Sequence, residues 1–380
     1  MTFIKLKALG KRVTVSVIND LATDQRVKKM CGTLHNMGFD ITLIGREMKN
    51  SPTMDQRPYA VKRMKLCFEK GALFYAEYNL RLFFFLLFYK SELLVSNDLD
   101  TLLPNFLLSK IKRIPLVYDS HEYFTEVPEL IHRPMVQKTW KLIERSIFPR
   151  LKDVITVNDS IADLFQDDYG IRPVVVRNIP PFKKLTLDET RSELGLPLDK
   201  KILIMQGAGI NVHRGSEELI EAMPLVNEAV LLIIGGGDVV DFLKKRVVEL
   251  NISERVIFKP RMPYDQMIQY TANADLGLTL DKDNNLNYRF SLPNKLFDYI
   301  QAAVPVMATH LPEIAKIIDT YQVGCYMPDH IPEHMANKIN EVLADQQQMD
   351  EWKNNCKFAS SELNWEKEEK KVIDIYSSYV

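Results

Sequence analysis

The feature that most constrains the fold is an alternation of short apolar runs with segments of helical periodicity. The β-branched run VTVSV at residues 13–17 is typical of a buried strand. Thr23 or Asp24 can cap the helix that follows, and Gly38 can end it. A second apolar run at residues 41–44 completes a strand–helix–strand unit, which implies parallel pairing with a right-handed crossover.

The same alternation continues along the chain and is interrupted once. Further apolar runs lie at residues 93–96, 115–118, 154–157 and 173–176 and, in the second half, at 202–205, 230–234, 256–258, 276–280 and 305–308. The segment RNIPPFKK at residues 177–184 breaks the pattern with two prolines, which marks an interdomain linker. The sequence therefore predicts an α/β protein with two Rossmann-like, doubly wound domains, at residues 1–178 and 185–358. Ligands bind beyond the carboxyl ends of strands in such sheets, so we expect the site in a cleft that the two domains face.

Composition and charge exclude several classes of protein. The 380 residues are 46% apolar, which is enough for two cores. Lys and Arg total 49 against 50 for Asp and Glu, whereas an electrostatic nucleic-acid binder needs a basic surplus. The four cysteines form no CxxC pair and fit free thiols in a reducing cytosol, and residues 1–12 do not resemble a signal peptide. We therefore expect a cytoplasmic protein that binds no nucleic acid.

A glycine-rich loop, QGAGINVHRGSE at residues 206–217, lies between a predicted strand and a predicted helix. The glycines that allow a ligand to approach its backbone closely are Gly207, Gly209 and Gly215. Arg214 supplies a planar donor for phosphate, and Ser216 can cap the helix, whose amino end favours anions. We interpret the loop as a seat for a diphosphate; a flexible loop with a solvated arginine is the alternative.

A second candidate is the segment SLPNKLFDYIQAAVP at residues 291–305. Ser291 fits the cap of a helix there, and Pro293 fits its first turn. Lys295 and Asp298 are three residues apart, so they share a face of that helix. At the carboxyl edge of a sheet, Asp298 can accept from two ribose hydroxyls and Lys295 can reach a phosphate. A surface salt bridge between the two is the alternative.

The segment YDSHE at residues 118–122 directly follows a predicted strand. His121 can donate to a sugar hydroxyl from that position, and Asp119 or Glu122 can orient its ring. A histidine satisfied by the backbone is the alternative interpretation.

Two further acidic segments also follow predicted strands. Asp20, Asp24 and Arg26 of NDLATDQR fit either contacts to an acceptor or capping and turn positions. The paired acids of SNDLD at residues 96–100 have no third or fourth ligand nearby, so we expect no metal site. The NAD fingerprint GxGxxG is incomplete after both glycine-rich strands, and no P-loop motif occurs.

The longest apolar run, LFFFLLFY at residues 82–89, is too short to span a bilayer. As a helix, residues 78–89 are apolar nearly all round. Two interpretations stay open: a helix of the core, or a face that touches a membrane. The second is favoured by basic residues upstream, which are Lys62, Arg63, Lys65 and Lys70.

Taken together, these segments resemble the retaining glycosyltransferases of family 4, also called the group 1 family, which have the GT-B fold. The resemblance covers NDLATDQRV, DSHE, RNIP, QGAGINVHRG, the GGG turn and SLPNKLFDYIQAAVPV, and so nearly the whole chain. It implies that Asp298, seven residues before the Pro-Val at 305–306, binds the ribose of a nucleotide. It also implies that the backbone of KPRMP at residues 259–263 reads the base. Arg261 is the one strong side-chain donor of that segment, and a solvated surface arginine is the alternative. The final helix, within residues 362–380, is expected to pack back on the N-terminal domain.

Two positions depart from the family pattern. Phe290 replaces a glutamate of the donor-sugar site, and Ala208 replaces an arginine of the phosphate loop. Arg214 matches the family's phosphate lysine, and we expect Lys295 to compensate for the cation that is lost. The backbone amides expected to contact the donor sugar in place of the glutamate are those near Ser291 and Leu292.

The resemblance implies transfer of a sugar from a nucleotide sugar, such as a UDP- or GDP-sugar, to an acceptor hydroxyl, with retention of the anomeric configuration. The acceptor implied is a glycan or glycolipid, and the process is polysaccharide or glycoconjugate synthesis. Arg214 and Lys295 would stabilise the leaving diphosphate without a metal, and His121 would contact the donor sugar near the reacting carbon. No cofactor is expected. Two alternatives stay open: a nucleotide-sugar epimerase, or a non-catalytic nucleotide-sugar-binding protein. With the second interpretation of residues 78–89, the protein would take a peripheral position at the inner face of the membrane.

Overall fold

Each half of the chain is built around one parallel sheet. The structure is a computed structural model that describes residues 10–49, 51, 53–182, 188–207 and 209–380. The chain divides into two units: unit 1 is Met1–Asn178 with Lys367–Val380, and unit 2 is Ile179–Glu366. Ala208 and residues 183–187, part of the predicted linker, lie outside the described residues.

Unit 1 contains a seven-stranded sheet. Its strands are β1 Arg12–Asp20, β2 Asp40–Glu47, β3 Ala60–Lys65, β4 Leu93–Asn97, β5 Leu116–Asp119, β6 Asp153–Thr156 and β7 Val174–Val175. They follow the order β3-β2-β1-β4-β5-β6-β7, and every pair is parallel. The central strands are buried on both faces, as in doubly wound sheets. The edge strands differ: in β3, with the sequence AVKRMK, only Met64 is buried, and neither residue of β7 is buried.

Helices cover the sheet of unit 1. They are α1 Gln25–Asn36, α2 Gly71–Phe88, α3 Leu99–Lys112, α4 Pro128–Ile131, α5 Pro134–Ile147 and α6 Asp159–Tyr169. Asp24 caps α1, since its carboxylate accepts from the backbone N–H of Val27 at 3.0 Å. The buried face of α1 includes Val27, Met30 and Leu34, as the periodicity predicts.

Unit 2 repeats this plan with six strands. They are β8 Lys201–Gly207, β9 Ala229–Gly235, β10 Val256–Lys259, β11 Leu276–Thr279, β12 Val306–Thr309 and β13 Gly324–Met327. The order is β10-β9-β8-β11-β12-β13, again with parallel pairs only. The predicted class, two doubly wound α/β domains, is therefore confirmed.

The helices of unit 2 are α7 Ser216–Ala222, α8 Val240–Glu249, α9 Tyr264–Ala272, α10 Leu286–Arg289, α11 Asn294–Gln301, α12 Pro312–Tyr321, α13 Pro332–Ala344 and α14 Gln346–Glu362. Two apolar clusters form the core of this unit. One includes Leu296, Phe297 and Ile300 of α11, which fixes the direction in which Lys295 and Asp298 project.

The last helix, α15 Trp365–Ser377, belongs to unit 1 from Lys367 onward. Its Tyr376 is fully buried and meets the ring of Phe39 edge-on, with centroids 6.5 Å apart. Lys371 donates to the carbonyl of Val175 at 3.0 Å, and Glu368 accepts from the backbone N–H of Arg177 at 3.0 Å. The last helix of the chain thus packs into the core of unit 1.

Candidate functional site

The glycine-rich loop of unit 2 follows β8 and is held against the segment after β11. Gly207 is the last residue of β8, and Gly215 is the N-cap of α7. Gly215 has a φ of 74°, and a Cβ there would lie 2.5 Å from the carbonyl oxygen of Leu280. Both the backbone conformation and this close approach require glycine. The loop is therefore an ordered element that fixes where Arg214 projects.

Ser216 does not cap α7, contrary to the sequence-based prediction. It is the first residue of the helix, and its hydroxyl bonds to the carboxylate of Glu217 at 2.8 Å. Two acids, Glu217 and Glu218, occupy the first turn, and Glu218 forms an ion pair with Lys282. These negative charges already offset the positive end of the helix dipole. An anion at this loop would depend more on the nearby cations than on the helix.

Arg214 and Lys295 meet at a shared buried carboxylate, Asp281. Nη1 of Arg214 donates to Oδ1 of Asp281 at 3.1 Å, and Nζ of Lys295 lies 3.8 Å from Oδ2. The guanidinium carbon of Arg214 also lies 4.9 Å from the ring centroid of Tyr288. Asp281 is 1% exposed, so one buried anion orients two cations. The structure thereby brings two of the predicted residues together through a third that the sequence analysis does not name.

Burial lowers the pKa of Lys295, Asp281 opposes that effect, and Arg214 adds to it. The three side chains carry two positive charges and one negative charge when all are ionised. A surplus of positive charge in a poorly solvated site is what an incoming phosphate requires. Lys295 is not part of a surface salt bridge with Asp298, so that alternative is wrong.

Asp298, one turn further along α11, has separate partners. Its Oδ1 accepts from the hydroxyl of Tyr264 at 3.0 Å, and its Oδ2 accepts from the side-chain amide of Gln206 at 3.3 Å. The hydroxyl of Thr271 donates to the amide oxygen of Gln206 at 2.6 Å, which fixes the orientation of that amide. Asp298 is therefore a buried acceptor whose position is set by β8 and α9.

Arg261 lies beside the GGG turn that follows β9. A Cβ on Gly236 would lie 3.1 Å from Nε of Arg261, so the guanidinium lies in tight contact with this turn. The same turn is interlocked with the loop after β8, because the backbone N–H of Ile210 donates to the carbonyl of Gly236 at 2.9 Å. The predicted base-reading residue and the phosphate loop are thus in one neighbourhood.

Ser291 precedes α11 but is not its N-cap, which is Pro293, so that prediction is wrong. The backbone N–H of Ser291 already donates to the carbonyl of Tyr288 at 3.1 Å. Its buried hydroxyl has no hydrogen-bond partner among the described residues. The backbone N–H of Leu292 likewise has no acceptor within the described ranges. The groups left to a ligand here are the Ser291 hydroxyl and the Leu292 amide.

His121 lies at the carboxyl ends of β4 and β5 in unit 1, surrounded by oxygen atoms. Its Nδ1 is 3.1 Å from Oδ2 of Asp98, and its Nε2 is 3.5 Å from Oδ2 of Asp119. The amide oxygen of Asn97 lies 3.2 Å from Nε2; the amide nitrogen of that residue donates to Ser16, so the oxygen is the atom facing the ring. An imidazole with acceptors at both nitrogens needs a proton on each. His121 is therefore a cation.

Electrostatics around His121 support this state. Burial alone would lower its pKa, but Asp98 and Asp119 raise it well above the ordinary value. Arg26 forms a bidentate ion pair with Asp119, at 2.6 and 3.1 Å. Asp98 holds its place with a φ of 59°, in a region that non-glycine residues rarely adopt. Both ring N–H groups thus have protein partners, so donation to a sugar would share one of these bonds.

The loop after β1 is occupied by internal contacts. Asp24 caps α1, Arg26 pairs with Asp119, and Asp20 lies 3.2 Å from a guanidinium nitrogen of Arg63. These positions fit the capping and structural interpretation better than direct contacts to an acceptor.

The apolar helix α2 is half core and half surface. Tyr78 is fully buried and donates to the carbonyl of Val17 at 2.7 Å. The other buried side chains of the helix are Phe74, Leu82 and Leu86, and the exposed apolar ones are Leu73, Leu80, Phe84 and Phe88. By length and composition, α2 is the one described helix that could cross a membrane, but one of its faces packs in unit 1. The core interpretation of residues 78–89 therefore holds for one face of the helix, which includes Tyr78, and contact of the exposed face with a membrane stays a prediction.

Comparison with known proteins gives consistent relationships for both units. Residues 187–357 match the family model of glycosyl transferases group 1, and residues 24–182 match that of glycosyltransferase family 4. An uncharacterized glycosyltransferase of Methanocaldococcus jannaschii is 24% identical over 237 residues, which are 59% of this chain and 59% of that protein. The match thus spans about three fifths of that relative's length.

Two solved structures share the fold. Sucrose-phosphate synthase from Thermosynechococcus elongatus has a TM-score of 0.77 at 17% identity, over 97% of this chain and 99% of its own. Anabaena HepE in complex with UDP-glucose has a TM-score of 0.72 at 16% identity, over 97% of this chain and 99% of its own. At these identities the likeness establishes the fold of the two units.

Proposed function

Because the chain belongs to glycosyltransferase family 4, the group 1 glycosyltransferases with the GT-B fold, we propose that it transfers a sugar from a nucleoside diphosphate sugar to an acceptor hydroxyl. The observation that carries this proposal is the arrangement in unit 2. There Arg214 and Lys295 share Asp281, and Asp298 projects from the same helix as Lys295. Two cations suit a diphosphate, and a buried carboxylate one turn away suits the hydroxyls of its ribose.

The proposed chemistry needs the protein to stabilise a leaving nucleoside diphosphate. Negative charge develops on that group as the bond to the sugar breaks, and Arg214 and Lys295 would meet it in a poorly solvated place. Because Asp281 holds both side chains before a ligand binds, little reorganisation is required. We further propose that this charge stabilisation replaces a divalent metal, and that transfer proceeds with retention of configuration, as the family resemblance implies.

The donor-side contacts extend this arrangement. The hydroxyl of Ser291 and the amide of Leu292 are groups with which a donor sugar or phosphate could bond in place of the family's glutamate at Phe290. Arg261 would lie near the base. His121, as an imidazolium neutralised by two carboxylates, would present a fixed polar edge rather than act as a base.

Among the alternatives, sugar transfer is favoured over epimerisation and over binding without turnover, since the M. jannaschii relative is named a glycosyltransferase and both units match transferase families. HepE was solved with UDP-glucose, which makes UDP-sugars the first donors to test. We propose that the acceptor is a glycan or glycolipid. A lipid-linked acceptor would fit a peripheral position at the inner membrane face, with the exposed side of α2 in contact.

A thermal-shift screen tests the proposal directly. The purified protein would be melted with UDP, GDP and ADP and with their sugars, because a bound ligand raises the melting temperature. We expect one nucleotide to raise it in the wild type and not in Asp298→Asn. NMR of the matching nucleotide sugar, with and without candidate acceptors, then separates transfer from epimerisation, which needs no acceptor. If none of the nucleotides changes the melting temperature, the proposed donor site is wrong.

A further inference from the structure

A basic cavity lies in unit 1, apart from the residues discussed so far. It has a volume of ≈ 350 Å³ and is open to solvent at the surface. Its lining includes four cations, Lys110, Arg113, Arg150 and Lys152, together with the rings of Phe106 and Tyr379. The cations come from the end of α3 and from the segment before β6. They enter the cavity at the opposite end of the strands from His121.

The charges in this cavity are not neutralised by the protein. Across the described residues, none of the four cations forms an ion pair with a carboxylate. Lys110 lies over the ring of Phe106, at 5.2 Å, and Lys152 over the ring of Tyr379, at 6.0 Å. Other basic side chains of unit 1 do have acidic partners, as Arg12 has in Glu92 and Lys28 in Asp55. Four unpaired cations around one cavity attract an anion strongly.

The cavity continues an exposed apolar stripe. Leu103, Leu107 and Ile111 of α3 are 37%, 42% and 61% exposed, and their spacing of four places them on one helical face. Lys110 lies on that same face, three residues after Leu107. Helix α2 packs beside α3 and adds its own exposed apolar residues, among them Phe84 and Phe88. An apolar strip that ends in clustered cations complements the interface of an anionic membrane.

We propose that this cavity binds the phosphate of an anionic phospholipid headgroup while the exposed faces of α2 and α3 lie against the acyl chains. The occupant is the membrane lipid, because the cations adjoin apolar surface that a soluble phosphate would leave in water. The inference rests on the membrane contact in the proposed function and adds to it a defined headgroup site. It concerns the anchoring of the enzyme and is independent of donor binding in unit 2.

Vesicle flotation of the full chain tests this site. The wild type would be compared on phosphatidylcholine vesicles and on vesicles that also contain phosphatidylglycerol. The test variant is Arg150→Gln with Lys152→Gln, and the matched control is Lys245→Gln with Lys370→Gln, which removes the same charge elsewhere. We expect the wild type and the control to prefer the anionic vesicles, and the test variant to bind them roughly tenfold more weakly, with unchanged binding to phosphatidylcholine.

Three results would overturn the headgroup site. One is an equal loss in test and control variants, which indicates a diffuse charge effect. Another is a rise in melting temperature with millimolar inorganic phosphate that the test variant lacks, which indicates a soluble ligand. The third is a wild type that floats with neither vesicle, in which case the membrane contact fails as well. Nucleotide-induced shifts in melting temperature, measured in the same variants, show separately whether the donor site is intact.

Discussion

The carboxylate of Asp281 accepts a hydrogen bond from Arg214 at 3.1 Å and lies 3.8 Å from the ammonium of Lys295. A buried anion thus holds two cations in a fixed geometry before any ligand arrives. A phosphate that enters would bind to charges that are already oriented, and Asp281 offsets the repulsion between the two cations.

Arg214→Ala should reduce turnover by about 10²-fold or more, because charge stabilisation of the leaving diphosphate is lost. The measurement is kcat with the nucleotide sugar found in the screen. Arg246→Ala is the matched control, since Arg246 forms ion pairs with Glu221 and Glu249 on the surface of the same unit. Near-normal turnover in Arg214→Ala would remove this arginine from the site.

Asp298→Asn should mainly weaken nucleotide binding, by roughly 10- to 100-fold, because charged acceptors make the stronger hydrogen bonds to hydroxyls. Calorimetric titration with the preferred nucleoside diphosphate measures this directly. Tyr264→Phe removes one hydrogen bond that orients Asp298, so we expect a smaller loss from it. Unchanged affinity in Asp298→Asn would contradict the assignment of this carboxylate to the ribose.

Asp98→Asn should lower the pKa of His121, because one of the two carboxylates that favour the imidazolium is removed. In the wild type the raised pKa keeps His121 charged. The stability that results is fully present below pH 6.5, the pKa of an unfolded histidine, and it is lost only as pH rises through the pKa of His121 in the folded protein. The variant should therefore lose activity and stability at a lower pH than the wild type. A pH profile of kcat/KM that is identical in both proteins would show that His121 does not depend on Asp98.

The strands and most of the site segments follow from the sequence, because buried parallel strands consist of apolar runs and ligand-binding residues follow them. Strand β3 does not, since its Lys62, Arg63 and Lys65 give an edge strand the composition of a loop. Asp281 also follows a buried apolar run, as the other site residues do. It is hard to single out in the sequence because the neighbouring residues of DKDNN are also acids and amides. Its role depends on a contact with Arg214, 67 residues earlier, which no local pattern contains.

The sequence also does not show which side chains pair with each other. The spacing of Lys295 and Asp298 predicts a shared face correctly. It does not reveal that Lys295 pairs with Asp281 while Tyr264 and Gln206 take Asp298. Likewise, Ser291 resembles a cap by residue type, yet the helix begins after Pro293.

Glu144 should make stability depend on pH. It is 1% exposed, its Oε2 accepts from the hydroxyl of Tyr169 at 2.8 Å, and its Oε1 has no partner among the described residues. Burial raises its pKa from 4.5 to about 7. The protonated acid is favoured in the folded state, so this contribution, about 3 kcal/mol, is present below pH 4.5 and is lost as pH rises through 7.

Denaturant unfolding at pH 5 and pH 8 would measure the effect of Glu144→Gln, which cannot ionise. We expect the variant to lose less stability than the wild type over this interval, whereas Glu254→Gln, at an exposed position, should follow the wild type. Equal losses in the wild type and Glu144→Gln would show that Glu144 is ionised throughout or is solvated.

The position of α15 has a consequence for synthesis of the chain. Nearly all strands and helices of unit 1 lie within the first 178 residues. Its core also contains Val372 and Tyr376, which are fully buried and belong to the final 14 residues of the chain. A ribosome therefore releases the missing helix only after the whole of unit 2 has emerged. The domain that is translated first is finished last, and until then its surface around Phe39 stays open to chaperones and proteases.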